Sequence, residues 1–276
     1  MTQPPLSLEA VAATLRASGC VFAEDEARLL IAAAPDAGAL AAMVERRAAG
    51  LPIEQVVGWA EFCGLRVPVD RGVFVPRRRT EVLVLQAVAL LKGAPASQES
   101  RWPADAEATR PVVVDLCCGS GAIGAAIAAE AGPVELHAAD IDAAAVSCAR
   151  RAVGPFGGRV YLGDLYQALP VTLRGRVNLL AANVPYVPSE KIRLLPAEAR
   201  LHEPAVALDG GSDGLAVLRR VAGEAPRWLA PGGYLLSETS EQQADGAAAV
   251  LRAAGLTPTV QRSDDLAVAV VIGRHD

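Results

Sequence analysis

A chain of 276 residues with 52% apolar content is long enough to bury a substantial core in one α/β domain and a smaller second unit. Its formal charge of −5, from 26 basic and 31 acidic side chains, supplies no general attraction to a phosphate backbone, so composition gives no prompt toward nucleic acid. Five cysteines without a C-x-x-C pair suit reduced thiols, and no run reaches the ~18 apolar residues of a membrane span, which argues against a disulfide scaffold and an integral membrane protein.

The opening MTQPPLSLEA has neither a basic n-region nor a long apolar h-region, and a soluble cytoplasmic protein without membrane partners is expected. From Leu6 to about Val57, apolar residues recur at helical spacing in SLEAVAATLRASG, EDEARLLIAAAP and DAGALAAMVERRAAG, each closed by Gly or Pro. The spacing predicts a small helical domain over 1–57. After Gly58 the pattern changes to EFCGLRVPVD and GVFVP around an Asp70-Arg71-Gly72 turn, which predicts a connecting β-hairpin over 58–79. A helix is expected from Thr80 to about Lys92, opening a third unit over 80–276. The stretch 93–111, rich in Pro, Ser, Ala and charge, reads as a flexible surface loop.

From Pro111 onward strands and helices alternate: VVVDL, GAIGAAIAAEA, VELHAAD, DAAAVSCARRAV, RVYLGD, VNLLAAN, a helix over about 214–229, and GYLLSE. Such alternation implies right-handed crossovers and a mainly parallel sheet covered on both faces. After a helix over 241–254, LTPTVQ and LAVAVVIG are joined through Arg262-Ser263-Asp264-Asp265 and must run antiparallel. A seven-stranded doubly wound α/β sheet ending in such a hairpin is the arrangement of class I S-adenosylmethionine-dependent methyltransferases.

Val112 to Gly124 run from a buried strand through Asp115-Leu116-Cys117-Cys118-Gly119-Ser120-Gly121 into a helix, a turn that lets a ligand approach the backbone at the carboxyl end of a strand. Gly119-x-Gly121-x-x-Gly124 also fits a dinucleotide fingerprint, with Asp140 ending the next strand. Asp115 separates the two readings. A carboxylate there repels a pyrophosphate but favours S-adenosylmethionine, which has no phosphate and carries an ammonium and a sulfonium. The expected cofactor set is Asp115, Cys117, Cys118, Gly119, Ser120 and Gly121 in the loop, Asp140 for the ribose hydroxyls, Gly163-Asp164-Leu165 near the adenine, and Asn183. With no histidine nearby in sequence, Cys117 and Cys118 read as packing rather than nucleophiles. His137 reads as structural within a strand and His275 as part of the tail, while His202 stays open.

The strand VNLLAAN ends in Asn183-Val184-Pro185-Tyr186. An amide nitrogen is a poor nucleophile, so an enzyme must orient it and accept its N–H hydrogens. Asn183 Oδ1 and the Val184 carbonyl offer two acceptors, Pro185 stiffens the frame, and Tyr186 can pack on a planar amide. These four residues are the expected catalytic set, and no metal is required.

At these residues the chain resembles the HemK/PrmC family of protein-(glutamine-N5) methyltransferases, which modify the Gly-Gly-Gln glutamine of peptide-chain release factors. Gly72–Glu81 is similar to its V-L-I-P-R-P-E-T-E signature, Asp115–Gly121 to D-L-G-x-G-S-G, and Glu203–Leu215 to E-P-x-x-A-L-x-G-G-x-D-G-L; Leu235–Glu238 followed by Gln242 resembles L-x-x-E-x-x-x-x-Q. The resemblance implies a helical N-terminal substrate-recognition domain, S-adenosylmethionine as cofactor and a release factor as protein partner. The chain departs from the pattern at Val184, where the family has proline, at Arg78-Arg79, where it has Pro-Glu, and at Cys117, where it has glycine. The alternatives are an adenine-N6 methyltransferase with a flipped base on Tyr186, disfavoured by the acidic charge, a non-catalytic cofactor-binding scaffold, and a dinucleotide oxidoreductase.

Overall fold

The computed structural model describes residues 7–93 and 110–276. Of the loop expected over 93–111, residues 94–109 lie outside the described residues.

Four helices open the chain: α1 (Leu8–Ala17), α2 (Ala23–Ala33), α3 (Ala37–Ala48) and α4 (Ile53–Val57). Ser7 caps α1 by accepting from the Ala10 amide, and Asp36 caps α3 by accepting from Ala39, which satisfies amides left without an intrahelical partner. Val11, Leu15, Leu30, Leu40 and Met43 bury their side chains among themselves, so this bundle has its own apolar cluster.

The next segment departs from expectation. The hairpin pairs β1 (Trp59–Phe62) with β2 (Leu65–Pro68), so its turn is Cys63-Gly64 and not Asp70-Arg71-Gly72. Both turn residues have positive φ, 46° and 72°, the twist that a two-residue hairpin loop requires. Residues 72–76 form no strand. Val73 and Val75 are buried as their alternation suggests, yet the Val75 amide donates to the Glu203 carboxylate rather than to a ladder.

After α5 (Glu81–Leu91) the chain builds β3 (Val112–Leu116), α6 (Ala122–Ala131), β4 (Glu135–Asp140), α7 (Ala143–Val153), β5 (Arg159–Leu162) and β6 (Val177–Ala182). There follow α8 (Ala197–His202), α9 (Ala216–Trp228), β7 (Leu229–Thr239), α10 (Ala244–Ala253), β8 (Thr257–Ser263) and β9 (Val268–Arg274). The strands form one seven-stranded sheet in the order β5-β4-β3-β6-β7-β9-β8, parallel except that β9 runs antiparallel to both neighbours. The turn of the C-terminal hairpin falls at Asp264–Leu266, slightly later than expected, with Ala267 left-handed at φ 48°.

Every residue of β3 and β6 is buried, which follows from their largely apolar sequences between two helical layers, with Asp115 and Asn178 the polar exceptions. One face packs on α5 and α6 through Leu83, Val84, Ala126 and Ile127. The other packs on α9 and α10 through Leu218, Ala222, Trp228 and Leu251. The order reverses at β3, which pairs with β4 on one side and β6 on the other. Loops leaving the carboxyl ends of β3 and β6 therefore diverge and open a crevice where a ligand fits.

Candidate active site

A cavity of about 590 Å³ occupies that crevice. Its wall holds Cys117, Cys118, Gly119, Ser120, Asp140, Asp164, Leu165 and the Asn183–Tyr186 segment, together with Phe22, Ile53 and Glu54 from the N-terminal helices. The fold thus gathers most residues expected from sequence, and adds contributors from 110 positions or more upstream of Asp164.

The glycine loop turns sharply through Cys117 at φ 55°, Gly119 at 52° and Gly121 at 78°. Its two central glycines serve different purposes. A Cβ on Gly119 would meet nothing within 4 Å and stand in open space at the cavity wall, whereas one on Gly121 would lie 3.0 Å from Ala149 Cα in α7. Gly119 leaves room for a ligand; Gly121 lets two helices approach. Asp140 fixes the loop from the next strand: its Oδ2 accepts from the Gly119 amide at 2.8 Å and its Oδ1 from Asp142 at 2.9 Å.

Asp115 sits behind the loop and is not part of the cavity wall, as is also true of Gly121. Its carboxylate is fully buried, with Oδ2 accepting from the Gly124 amide at 2.9 Å and Oδ1 without a partner. Burial, with a lesser contribution from the charge of Asp140, pushes Asp115 up to about 7. The Cys117 and Cys118 thiols are driven well above their ordinary range, first by burial and then by the neighbouring carboxylates, so they stay protonated and act as packing. The open cradle over Gly119 and the carboxylates of Asp140 and Asp164 at the wall form a donor-seeking, anion-repelling site. That fits S-adenosylmethionine and opposes a pyrophosphate.

At the end of β6, Asn183 Nδ2 points toward the hydroxyl of the buried Thr80 at 3.5 Å, which leaves Asn183 Oδ1 unengaged at the cavity wall. Tyr186 donates its hydroxyl hydrogen to Glu238 Oε1 at 2.8 Å and accepts from Arg79 at 3.0 Å, and Arg79 Nε also donates to Glu238 at 3.3 Å. Burial first, then the charge of Glu238, raises the Tyr186 hydroxyl, so it remains a neutral donor. Gln243 Nε2 donates to the main-chain carbonyls of Tyr186 and Asp213 at 2.9 and 3.0 Å. The glutamine that matters is therefore Gln243, not the Gln242 singled out in sequence.

The 203–215 run clamps this segment from outside. The Val187 amide donates to Leu208 O and the Gly210 amide returns to Val187 O. A Cβ on Gly210 would stand 2.7 Å from Pro185 O, and one on Gly214 2.3 Å from Tyr186 O, so backbone packs on backbone here. His202 does not line the cavity; its main-chain carbonyl accepts from Gln55, and its ring nitrogen lies 3.6 Å from where a Gly50 Cβ would stand. His137 is structural, held between the Tyr161 hydroxyl and Glu135.

Thr80, Arg79, Glu238, Gln243 and Arg220 join the site without having been singled out for it in sequence. Thr80, Arg79 and Glu238 fall within the segments that carried the family resemblance, while Gln243 and Arg220 carried no signal.

This sheet order, the cradle over Gly119 and the fixed Asn183 together define a methyltransferase that uses S-adenosylmethionine. The family described as "Methyltransferase small domain" matches residues 104–223. A release factor glutamine methyltransferase of Bordetella pertussis is 38% identical over 80% of this chain and 77% of its own, and that of Mycolicibacterium smegmatis is 37% identical over 84% and 83%. The 4-amino-L-phenylalanine/4-methylamino-L-phenylalanine methyltransferase of Streptomyces pristinaespiralis is 35% identical over 77% and 69%. The chain belongs to the release factor glutamine methyltransferase family. Among solved structures, the hMettl16 catalytic domain bound to an RNA hairpin of the MAT2A 3'UTR superposes with TM-score 0.55, at 11% identity, over 84% of this chain and 81% of that one. T. Thermophilus 16S rRNA N2 G1207 methyltransferase RsmC gives 0.51 at 17% identity over 79% and 50%. At these identities the likeness is one of fold alone.

Proposed function

We propose that this enzyme methylates the N5 side-chain amide of a glutamine in a protein, the Gly-Gly-Gln glutamine of peptide-chain release factors. The observation that carries the reading is Asn183, turned by Thr80 so that its carbonyl oxygen is free, next to the Val184 carbonyl and in one cavity with the Gly119 cradle. Relatives at 37–38% identity bear that name.

When bound, S-adenosylmethionine supplies an electrophilic methyl group on a sulfonium centre. Asp140 and Asp164, with the main chain of Cys117–Ser120, would hold it. Asn183 Oδ1 and the Val184 carbonyl accept the two amide N–H hydrogens and aim the nitrogen at the methyl carbon, and Tyr186 packs on the amide plane. Held there, the nitrogen would displace the methyl group from sulfur, and the N–H proton that it must lose would pass to water. Orientation supplies most of the acceleration, since no group in the site is a strong base for an amide.

Residues 1–57 are read as the unit that receives the protein substrate, 58–79 as its connection and 80–276 as the transferring domain. Phe22, 68% exposed, joins the cavity wall from the helical unit. Arg47 ties that unit to α8 by donating to Glu198, and is itself held within the unit by Glu26 and the Leu51 carbonyl. A nucleic-acid acceptor is not proposed: the arginines of the same wall are met by carboxylates, Arg47 by Glu26 and Glu198, Arg77 by Glu203, Arg79 by Glu238 and Arg220 by Asp164, and the net charge is −5. Among the described residues no helix is long and apolar enough to cross a membrane, and the cytoplasm, where release factors act, is the compartment proposed.

One observation favours a second acceptor class, the arylamine of a free amino acid: Arg79 presents a half-exposed guanidinium beside Tyr186, suited to a carboxylate. Incubation with labelled S-adenosylmethionine and either purified release factors or 4-amino-L-phenylalanine separates the two. Label on the Gly-Gly-Gln glutamine, located by peptide mass spectrometry, is the expected result. Label on the amino acid alone would replace the first reading with the second.

A further inference from the structure

Helix α9 carries two adjacent arginines that part in opposite directions. Arg219 turns to Asp213 and is spent in the loop that clamps Tyr186. Arg220 turns to the cavity wall and donates to Asp164 Oδ2 at 2.6 Å.

Asp164 has little backbone freedom. Gly163 before it donates to Asp140 O at 2.9 Å, and a Cβ there would lie 3.1 Å from that of Ala168. Leu165 after it is left-handed at φ 48°, a conformation that costs a non-glycine residue and marks a position fixed by its surroundings. The Asp164 carbonyl accepts from Gln167 at 3.0 Å. What remains free is the carboxylate torsion, and Arg220 occupies one of its two oxygens. Oδ1 has no partner among the described residues. Asp164 and Leu165 share the wall with Cys117, Asp140 and Ile141.

We infer that Arg220 is a positioning residue for the purine of the cofactor: by holding Asp164 Oδ2 it presents Oδ1 to the exocyclic amino group of adenine and makes the site selective for a 6-aminopurine. A 6-oxopurine places a carbonyl oxygen against that carboxylate, and a site built around a hydrogen bond discriminates strongly against the analogue that cannot make it. Without Arg220 the carboxylate can rotate away and the discrimination falls. The inference concerns the cofactor half alone and stands whichever acceptor the enzyme methylates. The pair is solvent-exposed, with side-chain exposures of 55% and 35%, and exposed pairs contribute little by themselves, so the effect rests on the orientation that Arg220 gives the Asp164 carboxylate and not on the strength of the pair.

The test is calorimetric binding, without acceptor, of S-adenosylhomocysteine and of its 6-oxopurine analogue to the full-length wild type, Arg220→Ala, Arg220→Gln, Arg220→Lys and Asp164→Ala. Wild type is expected to prefer the amino form by about thirtyfold or more. Arg220→Ala and Arg220→Gln should bind S-adenosylhomocysteine about five- to tenfold more weakly, the net size of one ordinary hydrogen bond. Their preference should collapse toward that of Asp164→Ala, while Arg220→Lys keeps an intermediate value. Preserved preference in Arg220→Ala overturns the proposal. So does an equal loss of affinity for both ligands, which would mark a general packing effect. Circular dichroism of each variant checks the fold, and the three Arg220 substitutions keep the comparison available if one misfolds.

Discussion

The cofactor half and the acceptor half of the cavity are assembled in different ways. In the first, Gly119 meets Asp140 only 21 positions on, and each contributor leaves the carboxyl end of one of three neighbouring parallel strands. In the second, Asn183 meets Thr80 across 103 positions, Arg79 meets Tyr186 across 107 and Glu238 across 159. Local architecture makes the cofactor cradle; tertiary closure makes the acceptor frame. The two should therefore fail separately when they are perturbed.

The largest effect is expected at the joint between the helical unit and the rest. Arg47 crosses that joint to the half-exposed Glu198 of α8 and is buried against Glu26 of its own unit, with 8% and 13% side-chain exposure, and removing one partner of a buried pair costs about 3–5 kcal/mol. Arg47→Ala should lower the melting temperature and raise KM for a protein acceptor while leaving cofactor affinity alone. A matching loss of S-adenosylhomocysteine affinity would break the separation.

A pH effect follows from Asp115. Its carboxyl is raised to about 7 in the fold, so between the unfolded value near 4 and that point the native state binds the extra proton. Stability contributed by this group falls as pH rises through that window and is level above it. Thermal melts of wild type and Asp115→Asn from pH 4 to 8 should show the variant gaining relative to wild type as pH increases. Parallel curves would show that the group does not titrate there.

In the acceptor half, Asn183→Ala should reduce kcat by about 10²–10³-fold, the scale of losing one preorganised polar group, with a far smaller change in S-adenosylhomocysteine affinity. Single-turnover rates and calorimetry on the same preparation read both. The smallest expected effect, and the one that sharpens the contrast within the cofactor half, is a pair of glycine substitutions. Gly121→Ala crowds Ala149 and should destabilise the fold by about 1–3 kcal/mol. Gly119→Ala adds a methyl group to the ligand space and should chiefly weaken cofactor binding. The reverse assignment in melts and titrations would refute the division of roles.

The same contrast explains what the sequence revealed. The strands from VVVDL to VNLLAAN, the glycine loop and the C-terminal hairpin are written in contiguous residues whose apolar runs and turn chemistry act locally. Asn183 and Tyr186 were legible because they sit together at a strand end. Thr80, Arg79 and Gln243 were not, because their roles depend on which distant backbone they meet. The alternation in Val73-Phe74-Val75 truly reported burial, but burial against Ala60, Val69, Ala145 and Cys148, with the Val75 amide donating to Glu203 rather than to a strand ladder. The hairpin turn hid in Cys63, whose positive φ has no sequence signature beyond the glycine after it. Asp115 was found by its position four residues before Gly119, yet spacing does not tell that its carboxylate is turned into the start of α6.

The most direct test of the account is a crystal structure of the enzyme with S-adenosylhomocysteine and a Gly-Gly-Gln peptide. The expected result places the glutamine amide nitrogen within about 3.2 Å of both Asn183 Oδ1 and the Val184 carbonyl, with the cofactor sulfur beyond it and the main chain of Gly119 against the cofactor. A glutamine whose nitrogen meets other groups, or an Asn183 turned so that Nδ2 faces the peptide, would contradict it.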